Sequence, residues 1–243
     1  MYKKILIPFL SLICFLANAQ TQFIQKGRIE FEKKVNQFKP FENEDNDNPW
    51  MKEMMKTMPK IVTDNYELRF SENKSVYKMT KENTDNKYMW GGKPSETDIT
   101  QIDLENNTIS IQRALYENTY LIKDSVRNLE WHITNETRDI AGFECKKAVT
   151  RICDSVVVVA FYTDQIMVSS GPESFGGLPG MILGLAIPRL YTTWFATKLE
   201  LIEPTAAQLN PAQKGKKVTR QQLHGEIVRA LKSEPRLIWT ASL

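Results

Sequence analysis

Residues 66–79, YELRFSENKSVYKM, hold two short runs in which apolar and polar side chains alternate, separated by the polar turn Ser71-Glu72-Asn73-Lys74. Successive side chains on an extended chain point to opposite faces, so this stretch reads as a half-buried β-hairpin. The same period of two recurs on both sides. In GRIEFEKKV (27–35), Ile29, Phe31 and Val35 alternate with charged neighbours, and ITQIDL (99–104) and TISIQ (108–112) flank Glu105-Asn106-Asn107, a second hairpin signal in which Asn tolerates positive φ. TYLIKDSV, LEWHIT, FECKKAVTRI, VVVVAFYT, MILGLAI and YTTWFATKLELI follow. About ten strands joined by short loops predict a mainly β fold: one large curved antiparallel sheet, open or partly closed into a barrel.

Two segments break this period. In NPWMKEMMKTMPK (48–60) the apolar positions Met51, Met54, Met55 and Met58 share one helical face, which predicts a short Met-rich helix. Thr219 and Gln222 form a capping-box pattern ahead of QLHGEIVRALK, which predicts a C-terminal helix ending before Pro235. LNPAQKGKK (209–217) reads as an exposed linker, so 210–243 is expected to be a linker and helical extension of a single β-rich domain over 20–243.

The first 19 residues read as an address. Lys3 and Lys4 precede an apolar stretch from Ile5 to Leu16 and the small-residue site Ala17-Asn18-Ala19, the pattern of a cleaved secretory signal peptide. The expected location is the periplasm, the outer-membrane periphery or the exterior, with no transmembrane segment left after cleavage. The chain of 243 residues has 32 basic and 29 acidic groups, a net charge of +3, and losing the two leader lysines makes it nearly neutral. No broad positive field remains to hold a nucleic acid. An oxidising compartment invites pairing of the two remaining cysteines. Cys145 and Cys153 lie in FECKKAVTRICDS, though, and if that is one strand its length separates them beyond disulfide reach.

The most distinctive stretch is GPESFGGLPGMILGL (171–185). Leu178-Pro179-Gly180 suits a type II turn, Pro fixing φ at the first central position and Gly accepting positive φ at the second. A phosphate-binding loop would need Gly-Lys-Ser/Thr before a helix, and a nucleophile elbow would need Gly-x-Ser-x-Gly; both are missing. The stretch resembles the signature of the GLPGLI family of secreted proteins, here written GLPGMI with Met181 in place of Leu. LEWHIT, IAGFECKKA, VAFYTDQI and GPESFGG extend that likeness over roughly residues 60–205 in the family's order, with Phe161 where many relatives have Trp. The resemblance implies export and no established activity. The β-rich outline is also similar to periplasmic lipoprotein carriers, a likeness of fold that carries no function.

The leading functional expectation is an envelope binding or accessory protein that holds an apolar small molecule or a cell-envelope protein through Gly177, Leu178, Pro179, Gly180 and Trp50. A second is Cu(I) binding, since thioethers are soft ligands and Met51, Met54, Met55 and Met58 lie on one face; the same stripe also reads as a pliable apolar surface. No other cofactor is expected. Asp45-Asn46-Asp47-Asn48 begins like a calcium loop, but Pro49 falls on the next ligand position and no Gly follows. A third expectation is an envelope hydrolase. It has only His132 and His224 to offer as imidazole bases, neither in a paired motif, and no catalytic residue is assigned.

Overall fold

The computed structural model describes residues 23–42, 49–81, 83–89, 93–115, 117–152, 155–211 and 213–230. The leader, Asp45–Asn48, Cys153 and the chain after 230 lie outside them. Twelve strands form a single sheet: β1 (Lys26–Asn36), β2 (Ile61–Ser71), β3 (Lys74–Lys81), β4 (Ile99–Asp103), β5 (Thr108–Leu115), β6 (Asn118–Ser125), β7 (His132–Ile140), β8 (Phe143–Ile152), β9 (Val156–Thr163), β10 (Met181–Ile187), β11 (Thr192–Glu200) and β12 (Lys216–Val218). The helices are α1 (Pro49–Thr57), α2 (Ala206–Leu209) and α3 (Arg220–Ala230).

The strand order is β12-β6-β5-β4-β3-β2-β1-β11-β10-β9-β8-β7, an open sheet rather than a closed barrel. Two antiparallel meanders, β2 to β6 and β7 to β11, are joined where β1 pairs with both β2 and β11. The hairpin at 66–79 forms with Leu68 opposite Tyr77 and Phe70 opposite Ser75. β2 begins earlier than the alternation suggests, at Ile61. The expected strand LEWHIT supplies only its last three residues, from His132 onward, and β7 continues to Ile140. The 209–217 stretch is largely exposed but is tied to the sheet. After β11 the chain crosses to the far edge, where Gln101 Nε2 donates to Leu209 O at 2.9 Å and Lys214 N to Gln112 Oε1 at 2.6 Å, and β12 pairs in parallel with β6.

One face of the sheet, called inner here, carries Ile29 and Phe31, Tyr66, Leu68 and Phe70, and Ile102, Ile109 and Ile111, all buried. Two covers share it. Residues 164–180, between β9 and β10, bury Ile166, Val168, Phe175 and Leu178 in the larger core, while Leu223 and Ile227 of α3 close a smaller one over β4 to β6. Ser75 and Ser170, joined at 2.7 Å through their hydroxyls, tie the first cover to the sheet. On the outer face Glu67 accepts from Arg28 at 2.7 Å and Arg69 at 2.9 Å, a cross-strand charge ladder. Among the described residues no helix is long and apolar enough to cross a membrane.

Candidate functional site

Charged residues gather at one end of the inner face, where strand alternation places them in apolar phase. Lys33 follows Ile29 and Phe31 at steps of two, and Arg113 follows Ile109 and Ile111 in the same way. Both therefore point beneath the 164–180 cover and meet Glu173 from that segment. Lys33 Nζ donates to Glu173 Oε1 at 3.1 Å, and Arg113 Nη2 lies 3.5 Å from Oε2. The other terminal nitrogen of Arg113 lies 3.5 Å from Asp98 Oδ2, and Asp98 is fixed in turn by Ala114 N at 2.8 Å. Glu173 is buried and adopts φ +56, a left-handed conformation that costs a non-glycine residue roughly 1 kcal/mol or more.

Aromatic rings line the group. Tyr66 and Tyr77 stack with centroids 5.0 Å apart and planes 2° from parallel. Lys33 Nζ sits 5.1 Å from the Trp194 ring centroid and 5.6 Å from that of Tyr66, within cation–π range. Tyr77 is 3% exposed and Trp194 0%; Trp194 Nε1 lies near both the Glu173 carboxylate and Tyr77 Oη, in contacts outside ordinary hydrogen-bond geometry. Next to Lys33 in the β1–β2 register, buried Asp64 accepts from the Tyr88 hydroxyl and from Asn86 Nδ2.

The two carboxylates that share Arg113 are driven apart. Burial would raise Glu173, but the charges of Lys33 and Arg113 outweigh it and hold its pKa below the ordinary value. At Asp98 burial wins over Arg113 and the Ala114 amide, and the pKa is raised. Burial also pushes Tyr66 and Tyr77 well above the ordinary phenol. The arrangement holds one carboxylate ionised and the other readier to carry a proton, with an arginine between them.

The residues expected to bind a ligand, partner or metal fall in the covering loop and in and just after α1. The GLPGMI loop belongs to the cover. Leu178 and Gly180 are buried, while Gly177 and Pro179 face solvent. The turn is tighter than type II: Gly180 N donates to Leu178 O at 2.7 Å around Pro179, and Gly180 has φ +140. Its missing side chain is required, because a Cβ there would lie 2.0 Å from Thr163 O. Gly177, at φ +83, is held by Ser169 Oγ, and Trp131 Nε1 donates to Gly176 O at 2.9 Å. Trp50 is 59% exposed on α1. On that helix Met51 is buried and Met54 and Met55 are half-buried; Met58, just past its end, is half-buried too.

His132 is exposed beside a shallow depression of about 360 Å³ lined by Glu130, Val149, Thr150 and Arg151, and it bonds to no Asp, Glu or Ser among the described residues. His224 is exposed on α3. No group of three His, Cys, Asp or Glu suited to a metal ion occurs among the described residues. Cys145 is a fully buried free thiol whose pKa burial pushes up to about 12.

Lys33, Asp98, Arg113 and Glu173 were not foreseen as a site. The available signals were local: two cations in apolar phase on their strands, and Glu173 as the one charge in the run from Gln165 to Pro188.

Comparison with known proteins corrects the family reading. The family model described as N-glycanase peptide, N-terminal domain, matches residues 54–222. Two solved structures of PNGF-II, in space groups P21 and C2, are similar to this chain. Each is 19% identical with a TM-score of 0.54, and they cover 80% and 89% of this chain and 32% and 33% of their own. That likeness is one of fold, and the chain spans about a third of their length. No curated protein matches. The GLPGLI resemblance and the binding or accessory role expected with it give way to this family match, whose residues include the GLPGMI loop. The chain belongs to the family of N-glycanase peptide N-terminal domains.

Proposed function

We propose that this chain takes part in the cleavage of N-linked glycans, as a hydrolase of the N-glycanase type. The observation that carries the reading is the family match over residues 54–222. The activity of the much longer PNGF-II chains comes to this one only as part of this proposal. Within the described residues, Asp98, Arg113 and Glu173 are the group best suited to hydrolysis: Asp98 supplies the proton-carrying carboxylate, and Glu173 stays ionised beside Arg113. Export belongs to the same proposal, since the leader pattern of residues 1–19 would bring the chain to glycoproteins outside the cytoplasm. The test is incubation of the purified chain with a denatured glycoprotein, with free glycan read by mass spectrometry. Released glycan supports the reading, and a glycoprotein unchanged after prolonged incubation overturns it.

A further inference from the structure

The far edge of the sheet holds positive charge that the protein does not balance. Residues 117–127, around β6, and 213–230, which include β12 and α3, carry seven lysines and arginines against three carboxylates, Glu117, Asp124 and Glu226. The chain as a whole is far closer to balance, with 32 basic and 29 acidic groups. Two of those carboxylates are engaged: Glu226 Oε1 accepts from Lys216 Nζ at 3.0 Å, and Asp124 Oδ2 lies 3.2 Å from Arg220 Nε.

Three lysines remain on the outer side of this edge. Lys217 stands opposite Leu121 in the parallel β12–β6 register, and Lys123 follows Leu121 by two residues on the same face. Lys214 is held beside them by the bond from its amide to Gln112, which stands opposite Leu121 on β5. All three are exposed, and none meets a carboxylate among the described residues. Elsewhere exposed lysines do: Lys26, Lys34, Lys60, Lys146 and Lys198 each have a carboxylate at 2.6–2.9 Å. On the inner side Arg220 adds a guanidinium whose three nitrogens close no hydrogen bond of ordinary geometry, which leaves its charge to Asp124 alone. Lysine on an edge strand discourages pairing with another chain, but β12 is only three residues long, and Lys214 and Lys123 lie outside it.

The chemistry of the partner follows from this arrangement. A small anion is held by donors that converge on it, whereas exposed lysines on separate elements supply attraction at longer range and suit a surface of many negative charges. Val228 and Arg229 are both exposed on the adjoining helix α3, and the interface of a bilayer accepts an apolar side chain and a cation side by side.

We propose that this edge, through Lys123, Lys214 and Lys217, docks the protein on an anionic lipid bilayer as a peripheral contact. The proposal is independent of the N-glycanase reading.

Cosedimentation of the purified chain with phosphatidylcholine vesicles, with and without phosphatidylglycerol, tests it. The chain should bind the anionic vesicles above the neutral baseline, and raising the ionic strength from about 0.1 M to about 1 M should abolish the difference. Changing Lys123, Lys214 and Lys217 together to Gln should lower partitioning about a hundredfold, at about fivefold per lysine, with the melting temperature unchanged. Changing Lys26, Lys146 and Lys198 to Gln removes the same charge elsewhere and should cost far less. Binding no stronger than to neutral vesicles overturns the proposal, and so does an equal loss in the two triple variants. Binding to soluble dextran sulfate without binding to the anionic vesicles would give the edge to a polyanionic chain instead and overturn it as well.

Discussion

Lys33 and Glu173, 140 residues apart in sequence, meet at 3.1 Å on the inner face and join the first strand of the sheet to the segment that covers it. Both side chains are largely withdrawn from water, so their contact stands under different rules from the ion pairs at the surface.

Removing one partner leaves a charge uncompensated in the interior. Glu173→Gln is expected to lower the unfolding free energy at pH 7 by about 3–5 kcal/mol, because Lys33 and Arg113 then face each other across an uncharged group. Exchanging Lys33 and Glu173 together for Met should cost less than either change alone, since Arg113 keeps Asp98. Urea unfolding of the single and double variants measures the difference.

The two carboxylates give opposite pH dependences. Glu173 has a folded pKa below its ordinary value of 4.5, so its stabilisation is complete above that value and is lost as the pH falls through the folded one. Asp98 has a folded pKa above its ordinary value of 3.8, so the native state takes up that proton first, and stability rises as the pH falls through the folded value. The unfolding free energy of the parent relative to Asp98→Asn should therefore increase on acidification from neutral pH. Relative to Glu173→Gln it should decrease below pH 4.5. Denaturant titrations across this range read both slopes.

Two glycines of the covering loop should respond differently to alanine. Gly177 has positive φ, and a Cβ there would meet only the Trp131 indole at an ordinary 3.8 Å, so Gly177→Ala costs the backbone strain alone, about 1 kcal/mol. At Gly180 the added carbon would meet the Thr163 carbonyl at 2.0 Å, so the loop must leave its seat. Gly180→Ala is expected to lower the melting temperature far more, or to prevent folding.

Cys145 should be chemically silent in the folded protein. It is fully buried, and its thiol is pushed up to about 12. Peptide mapping after iodoacetamide treatment should show Cys145 unmodified under native conditions and modified once the chain is unfolded.

Much of the fold was legible because alternation is a local signal. The run 66–79 forms its hairpin, and MILGLAI becomes the buried strand β10. What escaped was whatever depends on distant contacts. Lys216–Val218 has no strand signature of its own and extends only because β6 offers an edge. The special backbone of the GLPGMI loop is visible in the sequence, but the reason Gly180 is needed, the Thr163 carbonyl packed against it, is not. The candidate site was the least legible part. Lys33 and Arg113 stand in apolar phase within their strands, but only the return of Glu173 across the sheet turns those two anomalies into one group.

The most direct test of the account is glycan release by the parent chain and by Asp98→Asn, measured side by side on a denatured glycoprotein with the fold of each checked by its melting curve. The account predicts free N-glycan from the parent and a loss of about a hundredfold or more in the variant, the low end of what removing a proton-transferring side chain costs. No release from the folded parent, or undiminished release from the variant, would contradict it.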